Sequence, residues 1–130
     1  VLTGGRRFSD SCSTDIFIHM DGQEVFKFAV KSVPTAIETL LHNNNMNVDD
    51  VDKFILHQAN VRIIESVAKR LKADKDKFPV NLNEYGNTSS ASIPILLDEL
   101  NRNGSLKQGE KLILAGFGAG LSWGSILLVW

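Results

Sequence analysis

Apolar positions recur along this chain with two different periods, and each change of period marks an element. From Gln23 to about His42 they fall at Val25, Phe28, Ala29, Val33, Ala36, Ile37, Leu40 and Leu41. That spacing of three and four predicts an amphipathic helix. Pro34 lies inside the run and removes one backbone donor, so a kink or a division of the helix is expected there. Asn43-Asn44-Asn45 should stop it, and Asn47 to Asp52 reads as a polar connection. A short apolar run then predicts a strand over Lys53–His57, followed by a helix from about Asn60 to Leu71. Its buried stripe would be Ile63, Ile64, Val67, Ala68 and Leu71, with Arg62, Ser66, Lys69 and Lys72 outside. Glu65 and Lys69 stand at a supportive i,i+4 spacing.

The second half of the pattern is more varied. Ala73 to Lys77 is a charged connection, Phe78–Leu82 reads as a short strand, and Asn83–Ser90 is a polar loop. A helix is expected from Ser92 to Asn101, with Pro94 in its first turn, where a missing donor costs little, and Asn103-Gly104 as its stop. Lys111–Phe117 and Ser122–Trp130 are strongly apolar runs, and the glycine-rich link between them suits a hairpin. At the other end, residues 1–14 form a polar lead-in segment, Asp15–Met20 a short strand and Asp21-Gly22 a turn. The domain is therefore expected to occupy residues 15–130. Strands alternating with helices predict an α/β fold: a layered, mostly parallel five-stranded sheet with an antiparallel C-terminal strand and helices packed on it.

Composition narrows the function classes. A net charge of −1 over 130 residues argues against non-specific nucleic-acid binding, which calls for a basic balance. The apolar runs fall well short of the ~20 residues that span a bilayer, and no basic-then-apolar leader opens the chain, so a cytoplasmic protein without membrane contact is expected. The opening Val1-Leu2-Thr3 fits a processed product and an excised piece equally. Cys12 is the single cysteine and can form no internal disulfide. Its Ser/Asp-rich surroundings offer nothing to lower a thiol pKa, so no catalytic role is expected for it. His19, His42 and His57 with Cys12 lack a compact ligand spacing, and no metal site is expected.

The chemistry concentrates in two places. His57 puts an ionisable ring at the carboxyl end of a strand, the edge of an open α/β sheet where ligands collect. Gln58-Ala59-Asn60 crowd polar groups behind it, although Asn60 also suits a plain N-cap. Asn87, in Tyr85-Gly86-Asn87-Thr88-Ser89-Ser90, fits turn chemistry on its own. Taken together, His57 and Asn87 offer two neutral donors that can meet at one oxygen and stabilise negative charge developing there. Gly116-x-Gly118-x-Gly120 matches no dinucleotide fingerprint, and no helix pattern follows it.

Three motifs in order carry a resemblance: His57-Gln-Ala-Asn-x-Arg62-Ile-Ile, Tyr85-Gly-Asn87-Thr-Ser-x-Ala-Ser, and Gly116-Phe-Gly-x-Gly-x-x-Trp123-Gly. With Gly22-Gln-Glu-Val-Phe-Lys-Phe-Ala-Val30, they resemble the β-ketoacyl-[acyl-carrier-protein] synthase III family of condensing enzymes, over about Met20 to Trp130. The resemblance implies a thiolase-like fold and a Cys-His-Asn triad that joins an acyl-CoA primer to malonyl-carrier protein with loss of carbon dioxide, with no cofactor beyond these substrates. It implies His57 and Asn87 as catalytic residues and the backbone of Gly118, Ala119 and Gly120 as the turn that helps the acyl oxyanion. Ala119 stands where the family often has glycine, a change that keeps the backbone N–H. It further implies Gln58, Ala59, Asn60, Val61 and Arg62 as the carrier-protein docking segment, and Gly22 and Asn60 as lining of the coenzyme A and pantetheine tunnel.

Family members have two such halves, and the nucleophilic cysteine belongs to the first. This chain resembles only the second half, and Cys12 lies upstream of the matched region in another context. The expected partners are therefore an acyl-carrier protein, a coenzyme A thioester, the missing amino-terminal half and, across an uncovered apolar face, a second copy in a homodimer. Alone, the chain is expected to be inactive. Competing readings are a non-catalytic module that binds carrier protein or coenzyme A, and half of a related polyketide or alkylquinolone-type synthase.

Overall fold

The computed structural model describes residues 2–3 and 19–130. Two short strands, β1 (Leu2–Thr3) and β2 (His19–Met20), pair antiparallel. The expected strand over Asp15–Met20 is thus met at its last two residues; its remainder, the boundary at residues 14–15 and Cys12 lie outside the described residues.

Helix α1 (Gly22–Asn43) opens on Asp21, whose carboxylate accepts from the backbone N–H groups of Gln23 and Glu24 at 3.0 and 3.1 Å. Those two bonds hold its carboxyl below the ordinary carboxylate range, the Glu24 one most. Buried Ala29, Val33, Pro34, Ile37 and Leu41 form its inner stripe. The helix runs undivided through Pro34. Proline cannot supply the N–H that the Val30 carbonyl needs, and Arg70 donates to that oxygen from a neighbouring helix at 3.3 Å. Asn44 and Asn45 close the helix, the latter at φ 52°.

Strand β3 (Lys53–Leu56) follows a single 3₁₀ turn and leads through His57 into α2 (Val61–Leu71). The five apolar positions expected to be buried on α2 are the five that are. Two elements from the second half also match: α4 (Ser92–Arg102) and the hairpin β4 (Lys111–Gly118) with β5 (Ser122–Val129). The principal sheet has the order β3-β4-β5, with β3 and β4 parallel and β4 and β5 antiparallel from Lys111↔Val129 to Gly118↔Ser122.

The sheet therefore has three strands among the described residues rather than the expected five, and one parallel pairing rather than a mostly parallel order. The strand expected over Phe78–Leu82 does not form. Phe78 follows a 3₁₀ turn and stacks flat on Phe54, with ring centroids 4.6 Å apart. Pro79 has no N–H, the Asn81 N–H donates to the Gln58 side chain rather than to a strand, and the short helix α3 (Leu82–Tyr85) begins at once.

Alternating side chains of the sheet face two cores. Phe54, Leu56, Ile113 and Ala115 pack with α1 and α2, while Ile55 and Leu112 pack with Leu96 and Leu100 of α4. The result is three layers, with the sheet in the middle and β4 its central strand, and the carboxyl end of the edge strand β3 runs directly into His57. No helix of the described residues is long and apolar enough to cross a membrane.

Candidate active site

His57 continues the parallel ladder by one residue, its N–H donating to the Ala115 carbonyl at 2.9 Å. The ring is half-buried and meets Phe117 edge-on, with centroids 5.3 Å apart. Its Nδ1 lies 2.6 Å from the hydroxyl of Ser92 at the start of α4. Burial pushes the imidazole pKa below the ordinary histidine value, which keeps the ring neutral near pH 7. Nε2 has no hydrogen-bond partner among the described residues, and it is not among the sealed polar atoms there. Both strand-end context and α4 are needed to build this arrangement.

Gln58, next in the chain, is turned inward. It is 1% exposed, its Nε2 donates to the Leu56 carbonyl at 2.8 Å, and its Oε1 accepts from the Asn81 N–H at 3.3 Å. Its side chain is held inside the chain by these two bonds. A residue directly after a strand can turn either way, and here the N–H of Asn81 draws it inward. Ala59 is half-buried, whereas Asn60, Val61 and Arg62 are exposed. Asn60 caps α2 by accepting from the Arg62 N–H at 2.8 Å.

Asn87 sits exposed in the loop between α3 and α4, its Oδ1 accepting from the Ser89 N–H at 3.0 Å. The loop departs from α3 through Gly86 at φ 65°, a value that glycine adopts without strain. No hydrogen bond joins Asn87 to His57 among the described residues; the link between the two motifs is Ser92, five residues further on. Ser90 of the same loop shares a groove of about 640 Å³ with Ile93, Gly116, Phe117, Gly118 and Ile126. Gly118 ends β4, and Ala119 and Gly120 form an exposed turn with Leu121 before β5.

A second cavity, of about 590 Å³, opens between the amino-terminal ends of α1 and α2. Gly22 and Asn60 both line it, together with Phe26, Lys27, Arg62 and Ser66. Among the described residues no three His, Cys, Asp or Glu side chains cluster so as to hold a metal ion.

Ser92 and Asn81 were not legible as site residues. A signal for Ser92 existed: it begins the i, i+4, i+8 stripe that continues as buried Leu96 and Leu100, so a polar group had to sit on an apolar face.

Comparison with known proteins gives this geometry a family. The profile of the 3-oxoacyl-[acyl-carrier-protein (ACP)] synthase III C-terminal family matches residues 41–130. The β-ketoacyl-[acyl-carrier-protein] synthase III of Clostridium tetani is 54% identical over 114 residues, covering 88% of this chain and 34% of that protein. Among solved structures, the 3-oxoacyl-[acyl-carrier-protein] synthase III of Aquifex aeolicus superposes with a TM-score of 0.88 at 40% identity, over 99% of this chain and 39% of that one. The corresponding Thermus thermophilus enzyme gives a TM-score of 0.90 at 38% identity, over 99% of this chain and 41% of that one. The chain thus spans about a third of the curated relatives it matches. Both the profile and the superpositions agree with the layered α/β architecture, and the chain belongs to the family of 3-oxoacyl-[acyl-carrier-protein] synthase III C-terminal domains.

Proposed function

We propose that this chain is the carboxy-terminal wall of a cytoplasmic condensing site, supplying the decarboxylating donors for an acyl-CoA primer and malonyl-carrier protein. The observation that carries this reading is His57: a neutral ring at a strand end, held through Nδ1 with Nε2 unpartnered among the described residues. In the proposed reaction, a cysteine thiolate of an amino-terminal half first takes the acyl group, and coenzyme A leaves as its thiolate. Malonyl-carrier protein then loses carbon dioxide; the electron pair of the broken C–C bond moves toward the thioester oxygen as an enolate. The His57 Nε2–H and the Asn87 amide donate to that oxygen, each stabilising charge that exists only after the bond begins to break. The carbanion attacks the acyl-cysteine carbonyl, and the cysteine thiolate leaves. Backbone N–H groups of Gly118, Ala119 and Gly120 assist that second oxyanion.

The turn bond that Asn87 accepts from Ser89 uses its Oδ1, so the Nδ2 amide is the group that donates to the enolate. Asn60, Val61 and Arg62, with Ala59 behind them, form the docking face, where Arg62 meets an acidic carrier-protein helix. Gly22 and Asn60 border the coenzyme A and pantetheine path in the cavity between α1 and α2. The groove beside α4 is the face that an amino-terminal half covers, and in its absence a second copy of the chain forms a homodimer there.

The test is carbon dioxide release from malonyl-carrier protein by the chain combined with an amino-terminal half. His57→Ala should abolish release and Asn87→Ala should lower it by about a hundredfold, as for removal of one oxyanion donor. Unchanged rates in His57→Ala would refute the assignment. A carrier-protein titration, with Arg62→Glu as control, should lose binding on charge reversal.

A further inference from the structure

Ser92 is 2% exposed, and its hydroxyl has two neighbours among the described residues: His57 Nδ1 at 2.6 Å and the backbone N–H of Gln58 at 3.2 Å. The Gln58 N–H only donates, so it occupies a lone pair of the serine oxygen. The hydroxyl's single proton then has one acceptor within reach, the Nδ1 lone pair. Were Nδ1 protonated instead, two hydrogens would point at one oxygen and the serine proton would be left buried without an acceptor, an arrangement folded chains avoid. Gln58 itself is fixed, because its side chain bonds the Leu56 carbonyl and the Asn81 N–H. The Phe117 ring, edge-on to His57, opposes a flip of the imidazole.

We propose that Ser92 is a positioning residue that locks His57 in the tautomer carrying its proton on Nε2, so that the ring presents a donor at its open nitrogen. Local hydrogen bonds set imidazole tautomers in this way wherever one ring nitrogen is committed. The tautomer follows from the contacts alone; its catalytic consequence rests on the decarboxylation reading. Gln58, whose backbone completes the serine's bonding, acts behind Ser92 rather than on a partner.

The experiment is a long-range ¹H–¹⁵N correlation spectrum of the ¹⁵N-histidine-labelled chain near pH 7.5, with His57 assigned by its loss in His57→Gln. The expected result is an unprotonated Nδ1 and a protonated Nε2. Ser92→Ala should give a tautomer mixture, and Ser92→Thr, which keeps the hydroxyl, should restore the single form. With an amino-terminal half added, carbon dioxide release from malonyl-carrier protein should fall about ten- to a hundredfold in Ser92→Ala, the range for losing the partner that orients a metal-bound imidazole taken over to this unmetallated ring, with KM little changed and recovery in Ser92→Thr. A wild-type His57 protonated on Nδ1 overturns the proposal without recourse to any variant. A Ser92→Ala chain that keeps the single Nε2–H form also overturns it. If the tautomer results are as expected but His57→Ala does not slow decarboxylation, the lock stands and the decarboxylation reading fails.

Discussion

His57 is neutral because burial disfavours its charged form, and that has a consequence for pH. Its folded pKa lies below the ordinary 6.5, with burial as the cause. The unfolded chain therefore takes up this proton first. The contribution of His57 to stability is complete above about pH 6.5 and is lost as the pH falls from there toward the folded pKa. An NMR titration should place the His57 midpoint below that of free histidine; a midpoint at or above it would contradict the buried, neutral ring. Residue-scale reading of the sequence singled out His57 and Asn87 because both are polar groups at positions where a strand or turn ends. It did not show that Gln58 is buried, since a strand-to-helix link does not reveal which side chains fold under it until the Asn81 N–H is in place. Asn60 was legible as the N-cap of α2, and that cap is separable from any binding role: Asn60→Ala should cost about 1 kcal/mol in chemical denaturation, the usual loss for such a cap.

At the scale of elements, the amphipathic helices were legible because their apolar spacing matches the burial that tertiary packing imposes; α2 buries the stripe its sequence lays out. Pro34 looked like a break and is none. The helix runs through it, and the Val30 carbonyl that proline leaves without an N–H partner accepts from the Arg70 guanidinium, a contact forty residues away in sequence and invisible to any local pattern. This predicts coupling. Arg70→Met should destabilise the chain by about 1 kcal/mol, in the range of one hydrogen bond, and by less in a Pro34→Ala background, where the helix supplies its own donor. Additive effects in that double-mutant cycle would show the contact to be idle. Phe78–Leu82 misled for the opposite reason: its apolar residues suggested a strand, but Phe78 and Asn81 are buried and Val80 is exposed, a spacing of three that no strand alternation gives, and the segment's donors go to the Lys75 carbonyl and Gln58. Phe78→Ala should cost about 3–5 kcal/mol in equilibrium unfolding, the range for emptying a buried aromatic site; a loss below 1 kcal/mol would mean the stack on Phe54 is not part of the core.

The whole molecule is a layered unit whose second helical layer is thin. Helices α1 and α2 cover one face of the sheet, while α4 packs against Ile55 and Leu112 and leaves Ile126 of β5 62% exposed. The layering was legible from the alternation of periods, but the number of strands was not, because pairing depends on contacts between distant segments. The uncovered groove should make the isolated chain associate. Sedimentation at about 10 micromolar, where an interface of roughly micromolar affinity is mostly filled, should show a dimer that Ile126→Lys dissociates, and a clean monomer would contradict it. The central claim is that the chain holds two of the three groups of a condensing site and needs the third from another half. The most direct measurement compares carbon dioxide release from malonyl-carrier protein by the chain alone, by an amino-terminal half alone and by the two combined. Release by the combination only, and its loss in His57→Ala, is the predicted result; release at full rate by either half alone, or none from a combination shown to form a stable complex, would contradict it.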